Sequence, residues 1–183
     1  LTSDLPELVA PATRPFPVVK LRGPAALIGI SSAIPRLPFV SSGRIGADQM
    51  AALTRILEHP EVRRRTPVVA LHHPPHNPRS WIRTTLRGLS DAPRFLDTLA
   101  GLPRGLVLYG HLHQRGHRHH ATRLGRIHAV GATSASLHHE DEHRMAGFNV
   151  YDLSEDGDIA KVSAQVFEPG QSVMREQAIP LRS

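Results

Sequence analysis

Residues 66–75 read TPVVALHHPP, and this stretch decides the fold. Its first six residues form an almost continuous apolar run, which has the length of a strand and is typical of one buried on both faces of a sheet. The run ends in His72 and His73, and the two prolines that follow turn the chain away from helix and stiffen its exit. We therefore predict an α/β fold whose polar chemistry lies at the carboxyl ends of buried strands.

A second segment repeats this arrangement. Residues 105–109 (GLVLY) form another apolar run, which ends in Gly110 and is followed by His111 and His113. Gly110 is expected to allow a sharp exit from the strand, because glycine tolerates positive φ. At extended spacing His111 and His113 point the same way, so they can reach two cations about 3.5–4 Å apart. An imidazole fixed at the end of a buried strand has the defined direction that a metal ligand needs.

Composition limits the classes of protein and partner. The chain has 183 residues, 13 histidines and no cysteine, so a transition metal must be held by His, Asp, Glu or Asn. The net charge is +6, which suits an anionic partner such as a phosphoester, but the basic residues are scattered, so nucleic acid is the less favoured partner. No apolar run reaches about 18 residues, which predicts no membrane span, and we expect a cytoplasmic protein.

The rest of the chain predicts further strands and helices around these two segments. Residues 1–16 are rich in proline and are interpreted as a connector, and residues 17–183 as one domain. Helices are predicted at 47–58 and from about 91 onward, with a long loop at 73–89. Strands are predicted at residues 17–22, 25–31, 66–71, 105–109, 121–123, 126–130, 147–153, 159–167 and 174–179, the late ones as antiparallel hairpins.

The His-His-Pro-Pro and Gly-His-Leu-His segments, each placed after a buried strand, resemble the last two motifs of the calcineurin-like metallophosphoesterases. The resemblance is closest to the bacterial branch akin to class III cyclic-nucleotide phosphodiesterases, and it covers about residues 17–165. It implies the C-terminal half of a four-layer α/β/β/α sandwich, with a mixed sheet and late antiparallel hairpins. It also implies hydrolysis of a phosphodiester or phosphomonoester by water activated at a dinuclear site of divalent or trivalent metals, Mn, Fe or Zn.

By resemblance, His72 and His111 would bind one metal and His113 the other. His73 would support these ligands without binding metal itself. No catalytic residue beyond the metal ligands is identifiable. The remaining candidates, for support of the ligands or for contact with substrate, are His76, Asn77, Gly110, Thr133 and Ser134.

Three further motifs of the family are Asp-x-His, Gly-Asp and Gly-Asn-His-Asp/Glu, and family order places them before the two found here. None of them precedes His72 in this chain. We therefore expect them in an N-terminal half upstream of Leu1, and we expect the chain alone to be inactive until that half completes the site. Two other interpretations stay open: a non-catalytic metal-binding or interaction module, and a basic nucleic-acid-binding domain.

Overall fold

Apolar runs alternate with turns along the chain, and they produce the strands and helices of a computed structural model that describes residues 2–8, 15–76, 81–170 and 173–181. The strands are β1 (Val18–Arg22), β2 (Ala25–Gly29), β3 (Thr66–Leu71), β4 (Leu106–Tyr109), β5 (Gly116–Ala121), β6 (Arg126–Gly131), β7 (Gly147–Leu153), β8 (Ile159–Glu168) and β9 (Val173–Ala178). The helices are α1 (Ala47–Glu58), α2 (Pro60–Arg63), α3 (Trp81–Arg87) and α4 (Ala92–Leu99), with a 3-10 turn at Pro6–Leu8.

The strands form two sheets. The larger is a six-stranded mixed sheet with the order β1-β2-β3-β4-β6-β5. Its four inner strands, β2, β3, β4 and β6, run parallel, and the edge strands β1 and β5 pair antiparallel to their neighbours. The smaller sheet, β7-β8-β9, is antiparallel throughout. The expected α/β class, the mixed sheet and the late antiparallel hairpins are therefore confirmed.

The six-stranded sheet lies between the helices and the smaller sheet, because both of its faces are apolar. The core on the helical side includes Met50, Leu53, Phe95, Val69 and Val107. The core on the other side includes Val68, Leu106, Val130 and Val162. Neighbouring residues of β3 thus point into different cores, as the unbroken apolar run predicts for a strand covered on both faces.

Two predicted segments are wrong. The expected loop at 73–89 contains helix α3, whose apolar residues Ile82 and Leu86 remain half exposed, so burial within the chain does not mark the helix. The expected strand at 121–123 is instead the end of a longer strand, β5, with the sequence GHRHHA. A histidine-rich edge strand has no alternation of apolar and polar residues, and hydrophobic periodicity therefore misses it.

Within the expected connector, residues 2–8 pack against strand β1. Leu5 is buried, and the backbone N–H of Asp4 donates to the carbonyl of Val19 over 2.8 Å. The Asp4 carboxylate accepts from the backbone of Leu21, and this hydrogen bond, with the neighbouring Lys20 ammonium, lowers its pKa to about 2. Within the described residues, no helix combines the length and the apolar character that crossing a membrane requires.

Candidate metal centre

The register of the two central strands brings two of the three predicted histidine ligands together, His72 and His111. β3 and β4 are parallel and in register to their last residues, where Leu71 pairs with Tyr109. Immediately beyond them, the backbone N–H of Gly110 donates to the carbonyl of His72 over 3.1 Å. The next turn places the ring of His111 against that of His72, with Nδ1 of His111 3.2 Å from Nε2 of His72.

This distance fits two imidazoles on one cation. Zinc–nitrogen bonds are about 2.0–2.1 Å long, so two nitrogens 3.2 Å apart subtend an angle of about 100° at a shared metal. That angle lies between octahedral and tetrahedral values. In the described ranges, no three His, Asp or Glu side chains form a complete metal-binding group. As metal ligands, His72 and His111 would form a partial set that other groups must complete.

The backbone at the two predicted ligand positions of the second motif is strained. His111 has a φ of 55° and His113 a φ of 48°, values that non-glycine residues rarely adopt. The N–H of Leu112 donates to the carbonyl of Gly110 over 2.6 Å and closes a three-residue turn around His111. The expectation that Gly110 itself carries the positive φ is wrong. The strain lies on the histidines, and strain of this kind is concentrated at functional sites.

The electrostatic environment keeps the pair neutral. The pKa of His111 is lowered to about 4, mainly by burial and also by the neighbouring charges of His73 and His72, whereas a hydrogen bond with the backbone of Arg87 acts in the opposite direction. Burial is also the main cause that lowers the pKa of His72. His113 is exposed, but a charge on it lowers the pKa of both. A metal binds only the neutral imidazole, so both rings are in the ligating form at neutral pH.

His73 is locked beside the pair by two serines. Its Nε2 donates to the carbonyl of Ser41 over 2.7 Å, so its Nδ1 accepts from the hydroxyl of Ser32 over 2.8 Å. The same hydroxyl accepts from the backbone N–H of His73. Both ring nitrogens are thus engaged, and the ring packs 4.4 Å from that of His111, centroid to centroid. His73 is placed to orient its neighbours. Sequence reasoning missed the two serines, since their chain positions carry no recognisable motif.

Gly43 leaves the space that the His73 ring occupies. A Cβ at this position would lie 2.3 Å from His73 Nδ1 and 2.6 Å from the carbonyl oxygen of Ser32. We expect Gly43→Ala to destabilise the protein by about 1–3 kcal/mol, because the ring or the backbone must shift. Urea denaturation measures this loss. Gly116→Ala is the matched control, since no atom lies within 4 Å of its added Cβ. Equal denaturation midpoints for the two variants would contradict the close packing of the His73 ring against Gly43.

His76 is directed away from the pair. Its ring contacts those of Tyr109 and His120, with centroid distances of 5.4 and 6.2 Å, and its buried Nδ1 has no hydrogen-bond partner among the described residues. Its pKa is lowered to about 4, mainly by burial and also by the charges of Arg118 and His120. A neutral ring in this place is poorly suited to the predicted contact with a substrate phosphate. Asn77, the next predicted residue, lies outside the described residues.

The low pKa of His76 predicts a loss of stability in acid. Unfolded, its imidazole takes up a proton near pH 6.5, whereas folded it resists protonation down to about pH 4. Its contribution is therefore complete above about pH 6.5 and is lost as the pH falls towards 4. We expect the urea midpoint, measured with a chelator present, to fall over this range and to fall less in His76→Phe. A His138→Gln control, at an exposed histidine, should follow the wild type. An identical decline in His76→Phe would show that the loss of stability in acid does not come from His76.

The predicted pocket residues Thr133 and Ser134 follow β6 and are engaged with neighbouring groups. The Thr133 hydroxyl accepts from Nη1 of Arg115 over 3.1 Å, and the hydroxyls of Ser134 and Ser136 lie 3.5 Å apart. Arg115 is 5 % exposed and also donates to the carbonyl of Glu142. Through Arg115, Thr133 is thus part of a hydrogen-bond network that connects the end of β6 to the turn before β7. The sequence did not single out Arg115.

A groove beside the histidine pair combines positive charge with apolar surface. Its volume is about 540 Å³. It is lined by Phe39, Val40, Ser41, Arg87, His111, Leu112, His113 and Arg144. The buried Nε of Arg144 has no hydrogen-bond partner among the described residues. Two guanidinium groups next to two candidate metal ligands would suit an anion bound at the metals. Arg144 lies far along the chain from both histidine motifs, and no local pattern marks it.

Two short segments match the letters of the missing motifs but do not complete the site. Asp141-Glu142-His143 has the form Asp-x-His, and its Asp141 carboxylate accepts from the backbone N–H of His143. Gly157-Asp158 has the form Gly-Asp, and the Gly157 carbonyl accepts from the hydroxyl of Thr66. Thr66 begins β3 whereas His72 follows its end, so Gly157 lies about 20 Å from the pair, at the opposite edge of the sheet.

The site therefore consists of two facing imidazoles, a third histidine nearby, a supporting His73 and two arginines along one groove. Such an arrangement can hold a cation and attract an anion to it. Comparison of this sequence with models of known protein families and with curated proteins finds no match.

Proposed function

We propose that this chain is the C-terminal half of a calcineurin-like metallophosphoesterase and that it hydrolyses a phosphoester together with an N-terminal half. The observation that carries the proposal is the 3.2 Å approach of His72 Nε2 to His111 Nδ1 at the carboxyl edge of a parallel sheet. His72 and His111 would hold one metal, and His113 the other. Bound there, two Mn, Fe or Zn ions would lower the pKa of a water and neutralise charge on the phosphoryl oxygens.

The contribution of this chain is positioning and electrostatics. The lowered pKa values of His72 and His111 favour their neutral forms, and the ring of His73 packs against that of His111. Arg87 and Arg144 line the groove next to the ligands, where their guanidinium groups would donate charge-assisted hydrogen bonds to the phosphoryl oxygens. These groups bind and orient a substrate, and the residues that donate a proton to the leaving group would come from the N-terminal half.

Three features support an N-terminal half as the partner. The described residues form three layers, namely helices, a six-stranded sheet and a three-stranded sheet, where the proposed family has four. The outer strands β7 and β9 of the smaller sheet have no further described strand beside them, and such edges are ready to pair with another segment. Beside the groove, Phe39 is fully exposed and Leu37 is 78 % exposed, which is typical of an interaction surface.

The proposal is tested by purifying the chain with and without the segment encoded upstream, and by measuring hydrolysis of bis(p-nitrophenyl) phosphate with added Mn²⁺. We expect weak binding of one Zn²⁺ or Mn²⁺ at the histidine pair and negligible turnover by the chain alone. With the upstream segment we expect metal-dependent turnover that His111→Ala abolishes and His138→Ala preserves. A robust rate from the chain alone would refute the need for a second half. No turnover in either form, of this diester or of the monoester p-nitrophenyl phosphate, would refute the phosphoesterase.

A further inference from the structure

A second group of histidines lies on the edge ribbon formed by β5 and β6. The two strands are antiparallel, and their register pairs His119 directly with His128. Directly paired residues share a face of the sheet, and so do residues two apart in one strand. His117, His119 and His128 therefore share one face, the one directed towards the smaller sheet, because Val130 two residues beyond His128 belongs to the core between the sheets.

Two of these histidines already face each other. His117 Nε2 lies 2.9 Å from His128 Nδ1, and the rings are nearly parallel, with centroids 5.1 Å apart. A hydrogen bond between them needs a proton on one nitrogen only. A cation in place of that proton would be bound by both lone pairs. Tetrahedral zinc sets two nitrogen ligands roughly 3.3 Å apart, so the pair needs to open by only about 0.4 Å.

The surroundings favour a neutral, accessible pair. The pKa of His128 is lowered to about 4, mainly by partial burial and also by the charges of His117, Arg126 and His119. His117 also lines a cleft of about 250 Å³, together with Arg115, His143 and residues of β9. The cleft gives a cation a route to His117 and space for a water beside it.

We propose that His117, His119 and His128 bind one transition-metal cation of the Zn²⁺, Ni²⁺ or Cu²⁺ class on this ribbon. Imidazole ligands suit these ions, and a site of three histidines leaves a fourth position for water. His117 and His128 form the prepared part of the site. The described residues contain no finished group of three ligands. His119 therefore completes the site by turning its side chain. This site is separate from the pair formed by His72 and His111. Its cation would link the edge strand β5 to β6.

The test uses the full chain with His72, His111 and His113 all replaced by alanine, which removes the first site. Calorimetric titration with Zn²⁺, and the visible spectrum of bound Co²⁺, are expected to show one equivalent still bound with tetrahedral absorption. Adding His117→Ala or His128→Ala should lower the affinity at least tenfold. Adding His119→Ala should lower it less, and adding His138→Ala should leave it unchanged.

Circular dichroism of each variant establishes that it is folded. If His128→Ala does not fold, the affinity of His117→Gln and the Zn²⁺-induced rise in Tm of the triple variant decide the question. No rise in Tm, no bound equivalent in the triple variant, or binding that persists when His117 and His128 are both replaced would each overturn the proposal.

Discussion

Replacing His72 or His111 by alanine is expected to lower the affinity for the first metal by at least about 100-fold. Loss of a group that merely orients a metal ligand costs about 10–100-fold, so loss of a ligand from an incomplete set should cost no less. Calorimetric titration of the protein with Mn²⁺ measures the effect. His138→Ala serves as the control, because it removes an exposed imidazole that is not part of the site.

The double variant His72→Ala/His111→Ala tests whether the two rings bind the same cation. If both imidazoles bind one cation, as their 3.2 Å separation indicates, the second replacement should add little to the first. His113→Ala should behave differently in the complete protein, because it removes the other of two bound equivalents. Additive losses for His72→Ala and His111→Ala would mean that the two rings serve separate cations or none, and the assignment of the pair would fail.

Arg144→Gln is expected to weaken binding of a phosphoester by about 10–100-fold. Arg144 lines the groove that contains His111 and His113, and its buried Nε has no hydrogen-bond partner among the described residues. A hydrogen bond to a charged group contributes about 1.5–3 kcal/mol, and each 1.4 kcal/mol is about tenfold in affinity. The inhibition constant of inorganic phosphate and the KM for bis(p-nitrophenyl) phosphate, both in the complete protein, measure the loss.

Arg64→Gln is the matched control for this charge, since its guanidinium is 71 % exposed and is paired with Glu61. It removes one positive charge from the surface without touching the groove, and it should leave both constants unchanged. If Arg64→Gln and Arg144→Gln have equal effects, the arginines act only through the overall charge of the protein, and a specific role for Arg144 is excluded.

The sequence predicts the position of the histidine pair because the main cause is local. An apolar run of strand length determines where β3 ends, and it ends at Leu71 as predicted. A second run ends at Tyr109, and parallel neighbours of this kind bring their carboxyl ends to one edge of the sheet. Two short patterns and one rule of topology are thus sufficient to place His72 beside His111.

The supporting residues are not predictable in this way, because long-range packing determines them. Ser32 and Ser41 reach His73 across more than thirty residues, and Gly43 matters only because the His73 ring fills the space beside it. The positive φ at His111 follows from a tight turn that the residue type disfavours. Strand β5 escapes recognition for a related reason, since its cross-strand histidines replace the apolar alternation by which strands are recognised.

The most direct test of the central claim observes the nitrogens of the pair. A long-range ¹H–¹⁵N spectrum of the imidazoles, recorded as Zn²⁺ is added, separates a hydrogen-bonded pair from a metal-bound one. We predict that the signals of His72 Nε2 and His111 Nδ1 move together, with one titration curve, to values typical of metal-bound nitrogen. If both nitrogens keep their metal-free shifts while Zn²⁺ saturates the protein, the two histidines do not share a metal, and the proposed centre does not exist.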